Sequence, residues 1–399
     1  MNSFRMQSEN NAHSEMHRAA AAHVTIVMCI AAAAIFSDMY ITQPVLPLLS
    51  AEFGISPAVA GLSISAVVFC IALSSGFYGV LSDRVNRKTL MVTACALLVL
   101  PTLLCALAPN FSTLLVLRAA QGLLIPGITV VAVAYIGDLI APAHVGRVVS
   151  LYIAATVVGG LSGRVISGMI ASVFNWHGAF VFFAITTALT ALLMWRVLPA
   201  DSRPHHLRHQ HTRARELFVS LRTRNLLGAF VIGMCAMFGF IGVFTYLPYY
   251  LTHAPFNLSQ GIVSLAYVTY AAGVVVSPLA GRWSQFYSRR RLMGIGIVCA
   301  IFGIALTGLP VLWSVIAGLI FLNLGMFTAQ ALAPAYVNTR AARAKGSASA
   351  AYNTFYYTGA VLGSFLPGLA WQHFGWWGVI AACCIAMLIA LCADVVLCQ

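Results

Sequence analysis

Twelve apolar runs divide the chain, and each is about long enough to cross ~30 Å of hydrocarbon as a helix. They fall at roughly 23–49, 58–80, 89–107, 112–138, 147–172, 176–198, 225–251, 259–281, 292–309, 312–333, 347–371 and 376–397. Backbone N–H and C=O groups in lipid must be satisfied within their own segment, so such runs are expected to be helices. Charged residues make up 8% of the chain, against about a quarter in soluble domains, which excludes a soluble fold. The expected class is an all-α membrane protein with twelve transmembrane helices.

The formal net charge is +13, a value that would point to nucleic acid in a soluble protein. Here the cations sit between apolar runs. Of 22 Lys and Arg, all but Arg118 and Arg164 lie in the N-terminal tail, in loops after even-numbered runs, or at helix ends adjoining them. By the positive-inside rule both termini are expected on the cytoplasmic face of the cell inner (plasma) membrane. The partners expected are the lipid bilayer, a small-molecule substrate and protons. Nucleic acid is excluded, and a monomer is expected.

Residues 1–22 are polar and lack the apolar core and cleavage site of a signal peptide, so a disordered cytoplasmic tail is expected there. The stretch 199–224 is long, basic and polar. Its "HHLRHQH" could bind a metal, but a solvated linker facing anionic headgroups accounts for it better. Neither a metal nor another cofactor is expected. The ten cysteines form no CxxC and read as small packing residues.

The two halves repeat. Gly146, Tyr152, Gly159, Gly163, Gly168, Trp176 and Gly178 recur 200 positions later as Gly346, Tyr352, Gly359, Gly363, Gly368, Trp376 and Gly378. "GVLSDRVNRKTLM" from Gly79 recurs as "GRWSQFYSRRRLM" from Gly281, 202 positions on. The reading is a duplicated six-helix unit: 23–198, the linker 199–224, then 225–399. Gly159 and Gly163, like Gly359 and Gly363, have the spacing that lets helices approach closely in lipid.

These features resemble the major facilitator superfamily. "GVLSDRVNRK" (79–88) is similar to its loop signature Gly-x-x-x-Asp-Arg-x-Gly-Arg-Lys, with Asn86 in place of the glycine. "RAAQGLLIP" (118–126) is similar to the fourth-span signature Arg-x-x-Gln-Gly-x-x-x-Pro, and "DMYITQPVLPLLSAEFGIS" (38–56) to the first span of the drug:proton antiporter-1 branch. "LYIAATVVGGLSGRVISG" (151–168) departs from that branch's antiporter pattern, with Arg164 in place of Pro and Ser167 in place of Gly. In this it resembles the YnfM-like bacterial inner-membrane permeases. The resemblance implies two pseudo-symmetric six-helix bundles that alternate access to a site between them. It also implies a role for Arg118 in proton coupling.

Charge inside a span is costly, at least ~2.5–3.5 kcal/mol on insertion scales. Asp38 is the only acid deep within a run, and Arg118 and Arg164 are the only cations. Such groups face the bundle interior and pair, so Asp38 is expected to pair with Arg118, Arg164 or both. Two arginines against one acid would leave the cavity cationic and favour an anionic or polar neutral substrate over a lipophilic cation. Tyr352, Asn353, Tyr356 and Tyr357, at spacings of three and four, could line the opposite wall, with Gln43 and Asn323 as further candidates. Gly79, Asp83, Arg84, Arg87 and Lys88 are expected to form a cytoplasmic gate, with Asp83 meeting Arg147 or the start of the eleventh run.

No Walker A sequence, HExxH or GxSxG occurs, so neither an ATP site nor a catalytic apparatus is expected, and the chain is read as no enzyme. The reading is a secondary active transporter exporting a small polar or amphiphilic molecule in exchange for protons. A proton-coupled importer of a small organic anion is the alternative within that class; a channel or sensory receptor is the alternative outside it.

Overall fold

The computed structural model describes residues 22–199, 223–341 and 345–398. The tail and almost all of the His-rich linker therefore lie outside the described residues. Among the described residues nine helices are long and apolar enough to cross a membrane. Two of these are far longer than a bilayer needs: Pro142–Val197 and Lys345–Val396, of 56 and 52 residues. Each breaks once, at Asn175 (φ 71°) and at Gly375 (φ 56°). The second break falls 200 positions after the first, so the repeat extends to backbone geometry. Asparagine and glycine are the residues that tolerate this left-handed region. An 18-residue helix, Arg289–Leu306, stands beside the nine.

Two helical breaks are set by chemistry the apolar pattern does not carry. The first run divides at Tyr40 and Ile41, between a helix over 22–39 and Thr42–Phe53. Pro44 explains it: its ring has no N–H and crowds the carbonyl four residues earlier, that of Tyr40. The Gln43 N–H turns instead to the Tyr40 carbonyl at 3.1 Å. The eighth run is Gln260–Leu265, a 3₁₀ turn over Ala266–Tyr270, then Ala271–Trp283. Both breaks face the interior.

The repeated glycines form matching seams. A Cβ on Gly159 or Gly163 would sit 2.3 Å from the Ala33 carbonyl oxygen or 2.4 Å from Ser37 Cα. A Cβ on Gly359 or Gly363 would sit 2.0 Å from the Met234 oxygen or 2.4 Å from the Phe238 oxygen. The fifth run therefore lies backbone to backbone on the first, and the eleventh on the seventh. Gly359→Ala is expected to sharply reduce the yield of monodisperse detergent-extracted protein, since neither backbone can yield locally and overpacking costs about 1–3 kcal/mol or more. Gly281→Ala, where a Cβ meets nothing within 4 Å, is the control and should behave as wild type.

Hydrogen bonds join the two halves at the end away from the basic loops. Ser65 and Ser364 hydroxyls lie 2.6 Å apart, Tyr249 Oη donates to the Leu46 carbonyl at 3.0 Å, and Gln260 donates to the Pro44 carbonyl. At the opposite end, which carries the basic loops, Gly79, Gly146 and Gly281 face open space.

Candidate functional site

The broken first helix frees the Met39 carbonyl and leaves that of Asp38 with a long 3.5 Å bond from the Ile41 N–H, and Arg118 takes both. Because the Gln43 N–H is diverted, the Met39 carbonyl lacks its helical donor. Arg118 Nη2 donates to it at 2.6 Å, and Nη1 donates to the Asp38 carbonyl at 3.2 Å. Nη1 also reaches Gln121 Oε1 at 2.7 Å, and Nε reaches the Ser63 carbonyl at 3.3 Å. All three guanidinium nitrogens are therefore engaged by neutral oxygens. The Asp38 carboxyl accepts instead from Thr102 Oγ1 at 3.3 Å and Gln121 Nε2 at 3.3 Å. Asp38, Thr102, Arg118 and Gln121 are all fully buried.

This corrects the expected ion pair. The ion pairs among the described residues are Arg87–Asp83, Arg87–Asp138 and His177–Glu52; none involves Asp38. Gln121 stands between acid and arginine, donating to one and accepting from the other. The network is closed within the first four runs, and it does not line the central cavity. The charge of the cavity wall therefore comes from Arg164 alone.

Arg164 serves the same broken helix from the other side. Its Nε donates to Gln43 Oε1 at 2.5 Å, and its Nη1 to the Gly160 carbonyl at 2.5 Å. Gln43 is held in turn by Thr245 of the second half, at 3.0 Å. One turn away, Ser167 donates to the Ile41 carbonyl at 2.6 Å. Both departures from the antiporter pattern thus contact the chain around Pro44. The guanidinium lies 3.6 Å over the Tyr40 ring, 4.8 Å from Tyr270 and 5.8 Å from Tyr267. The 3₁₀ turn explains the pair of tyrosines: residues three apart eclipse there, so both rings point the same way. Three ring faces stabilise a cation with little water around it.

Arg164 is 1% exposed and has the Tyr40 and Tyr270 hydroxyls beside it, but no carboxylate among the described residues balances its charge. It lies on the wall of a cavity of about 110 Å³ between the halves. Phe36, Tyr40, Phe240, Tyr270 and Tyr356 line that cavity with it, and Gln330 holds the Tyr356 hydroxyl at 2.9 Å. Chemically this is an apolar, aromatic chamber with one cation that no carboxylate among the described residues neutralises.

The other expected residues divide. Tyr356 is in the cavity wall. Tyr352 stacks near it, at 6.1 Å between ring centres, but packs against Gly233 outside the wall. Tyr357 touches Tyr356 edge-on at 5.8 Å, and Asn353 is exposed toward the open end. Asn323 is buried, donating to Leu319 and Thr269, and does not line the cavity. At the open end Asp83 meets Arg87 at 3.4 Å, and Arg87 meets Asp138. Arg84 and Arg147 are exposed, and Lys88 is half-buried. Asp83 thus pairs within its own half and not with Arg147. The three residues 342–344, just before the eleventh helix, lie outside the described residues. Asp138, Tyr40, Thr102, Gln121, Tyr270 and Gln330 escaped the sequence reading. Gln121 and Tyr40 stood inside quoted motifs; Tyr267 and Tyr270 carried only a spacing of three.

Comparison with known proteins gives the family. The family model for the Major Facilitator Superfamily matches residues 28–273 and 251–397. The inner membrane transport protein YnfM of Escherichia coli (strain K12) is 36% identical over 372 residues, covering 92% of this chain and 88% of that protein. The uncharacterized MFS-type transporter YybF of Bacillus subtilis (strain 168) is 29% identical, covering 89% and 88%. Among solved structures, a bacterial homologue of the human lysosomal transporter Spinster, inward-facing and occupied, matches with TM-score 0.77 at 17% identity, covering 94% and 95%. A D-xylose–proton symporter matches with TM-score 0.71 at 18% identity, covering 92% and 96%. The relatives are named as transporters and not as enzymes. This chain belongs to the major facilitator superfamily and is a multi-pass membrane transporter.

Proposed function

We propose that this transporter moves a small amphiphilic organic anion by alternating access, coupled to protons, and works as an exporter. One observation carries the substrate class: a buried guanidinium on the wall between the halves, caged by Tyr40 and Tyr270, with no carboxylate partner among the described residues. A carboxylate would neutralise that guanidinium, and the aromatic wall would take an apolar body. The fold supports twelve crossings in two six-helix bundles, 23–198 and 225–399. The two long helices each hold two membrane lengths, and Arg289–Leu306 supplies the twelfth. The basic-loop end is assigned to the cytoplasm, with both termini there and YnfM's inner membrane as the location.

Asp38 is the group assigned to proton coupling, because buried intramembrane acids mark proton paths. Its link through Gln121 to Arg118 ties it to the first helix's break, and hence to Gln43 and Arg164. Asp83, Arg87 and Asp138 are assigned to the cytoplasmic gate.

Reconstitution tests the reading. Proteoliposomes loaded with a labelled aromatic carboxylate should exchange it for external carboxylate, and a pH gradient should bias the flux. Flux of an aromatic cation of equal size, with none of the anion, would refute it.

A further inference from the structure

The repeat places two arginines in equivalent positions and surrounds them differently. Arg87 recurs 202 positions on as Arg289. Arg87 Nη1 donates to the Ala134 carbonyl and to Asp138, and Nη2 reaches Asp83 at 3.4 Å. Arg289 Nη1 donates to the Ala335 carbonyl at 3.3 Å and to Thr339 Oγ1 at 3.3 Å. Thr339 therefore stands where Asp138 stands in the first half. Gln285 occupies the place of Asp83. The first copy satisfies its arginine with two carboxylates; the second has lost both.

The same place has gained cations. A cavity of about 810 Å³ opens there, walled by Arg289, Arg290, Arg291 and Arg340, with Asp394 as its one acid. No arginine in it lies within ion-pair distance of a carboxylate among the described residues. The guanidinium groups of Arg291 and Arg340 donate to no described residue; Arg340 only overlies the Tyr336 ring at 5.5 Å. Tyr336 also lines the cavity, is 6% exposed, and its hydroxyl has only the weak Cys398 thiol beside it. The helix Arg289–Leu306 begins here; Ser288 caps the Arg291 N–H at 3.4 Å, which leaves the Arg289 and Arg290 N–H groups without intrahelical acceptors. Four cations, a buried hydroxyl with no oxygen or nitrogen partner and a missing pair of counter-charges all call for an anion of high charge.

We infer that this cavity binds a phosphate group. Planar guanidinium forks match phosphate oxygens in pairs, and the Tyr336 and Thr339 hydroxyls add neutral donors. The rim indicates a lipid headgroup as the source. Trp283, Phe286 and Tyr287 are 43%, 80% and 61% exposed beside the cavity. Exposed aromatics concentrate at headgroup depth, where basic pockets between helices hold anionic lipid. A soluble phosphate ester would use the same groups from the aqueous side.

The test uses full-length protein, delipidated in detergent, with melting temperature followed as ligand is added. The arms are cardiolipin, phosphatidylglycerol, zwitterionic phosphatidylcholine, glycerol phosphate and inorganic phosphate. The expected result is stabilisation by cardiolipin and phosphatidylglycerol but not by phosphatidylcholine. The Arg291→Gln/Arg340→Gln double variant removes cations that hold no other element. It should raise the half-saturating concentration about tenfold or more, since each charge-assisted bond carries ~1.5–3 kcal/mol. Thr339→Asp keeps every arginine and restores the first half's counter-charge. It should raise ligand-free stability and weaken the lipid effect. Stabilisation by glycerol phosphate or phosphate alone, lost in the same variants, assigns the site to a soluble ester. No stabilisation in any arm, or equal stabilisation of wild type and both variants, overturns the inference.

Discussion

Arg164→Ala is expected to abolish measurable binding of organic anions, lowering affinity by about a hundredfold or more. An unneutralised guanidinium offers a carboxylate charge-assisted bonds of ~1.5–3 kcal/mol each, and two of these account for that factor. The substitution also removes the partner of Gln43 and empties the Tyr40–Tyr270 cage, so ligand-free stability should fall as well. Arg164→Lys separates the two effects. It keeps the charge among the three rings but loses the planar fork, which cannot be shared between Gln43 and a ligand by one ammonium. The lysine variant should therefore fold, retain some stability, and still bind anions poorly. Thermal unfolding with and without ligand reads both quantities. Near-wild-type affinity in the lysine variant would mean that Arg164 only braces the first helix.

Asp38→Asn is the second large effect. The amide is nearly isosteric, can still accept from Thr102 Oγ1, and leaves Arg118 on its carbonyl oxygens. The fold and anion binding should persist. What disappears is a group able to gain and lose a proton inside the first helix. Flux driven by a pH gradient should fall by about an order of magnitude or more. Exchange of labelled for unlabelled anion without a gradient should stay near wild type. Flux measured in the same proteoliposomes under both conditions decides it. A variant that still follows the gradient would move the coupling role away from Asp38.

Much of the architecture was legible in the chain. Apolar length gave the runs, and the glycines at one offset gave the repeat. The structure bears out those glycines as paired backbone seams, and adds Asn175 and Gly375 at the same offset. The three intramembrane charges were also found, because a charge in an apolar run is conspicuous. Their partners were not. Electrostatics suggested that Asp38 would seek an arginine, but Pro44 had already broken the first helix, freeing the Met39 carbonyl and leaving that of Asp38 only weakly bonded. Arg118 spends its donors on those, and Gln121 mediates the rest. A free carbonyl is created by a proline several residues away and leaves no trace at the residue that bonds it. The tyrosine cage was missed for a related reason. Tyr267 and Tyr270 act together only because that turn is 3₁₀. Depth and helix face, not residue type, separate Tyr356 in the wall from Tyr352 behind it and Asn353 toward the open end.

The most direct measurement is a titration of matched aromatic carboxylates, amides and ammonium ions into purified wild type and Arg164→Lys, read as a change in melting temperature. A ligand that binds the folded state raises its stability by mass action. The expected result is stabilisation of wild type by the carboxylates alone, and its loss in the variant. Stabilisation by the ammonium ions or amides, unchanged in the variant, would contradict anion recognition by Arg164 and leave the arginine as a brace for the broken first helix.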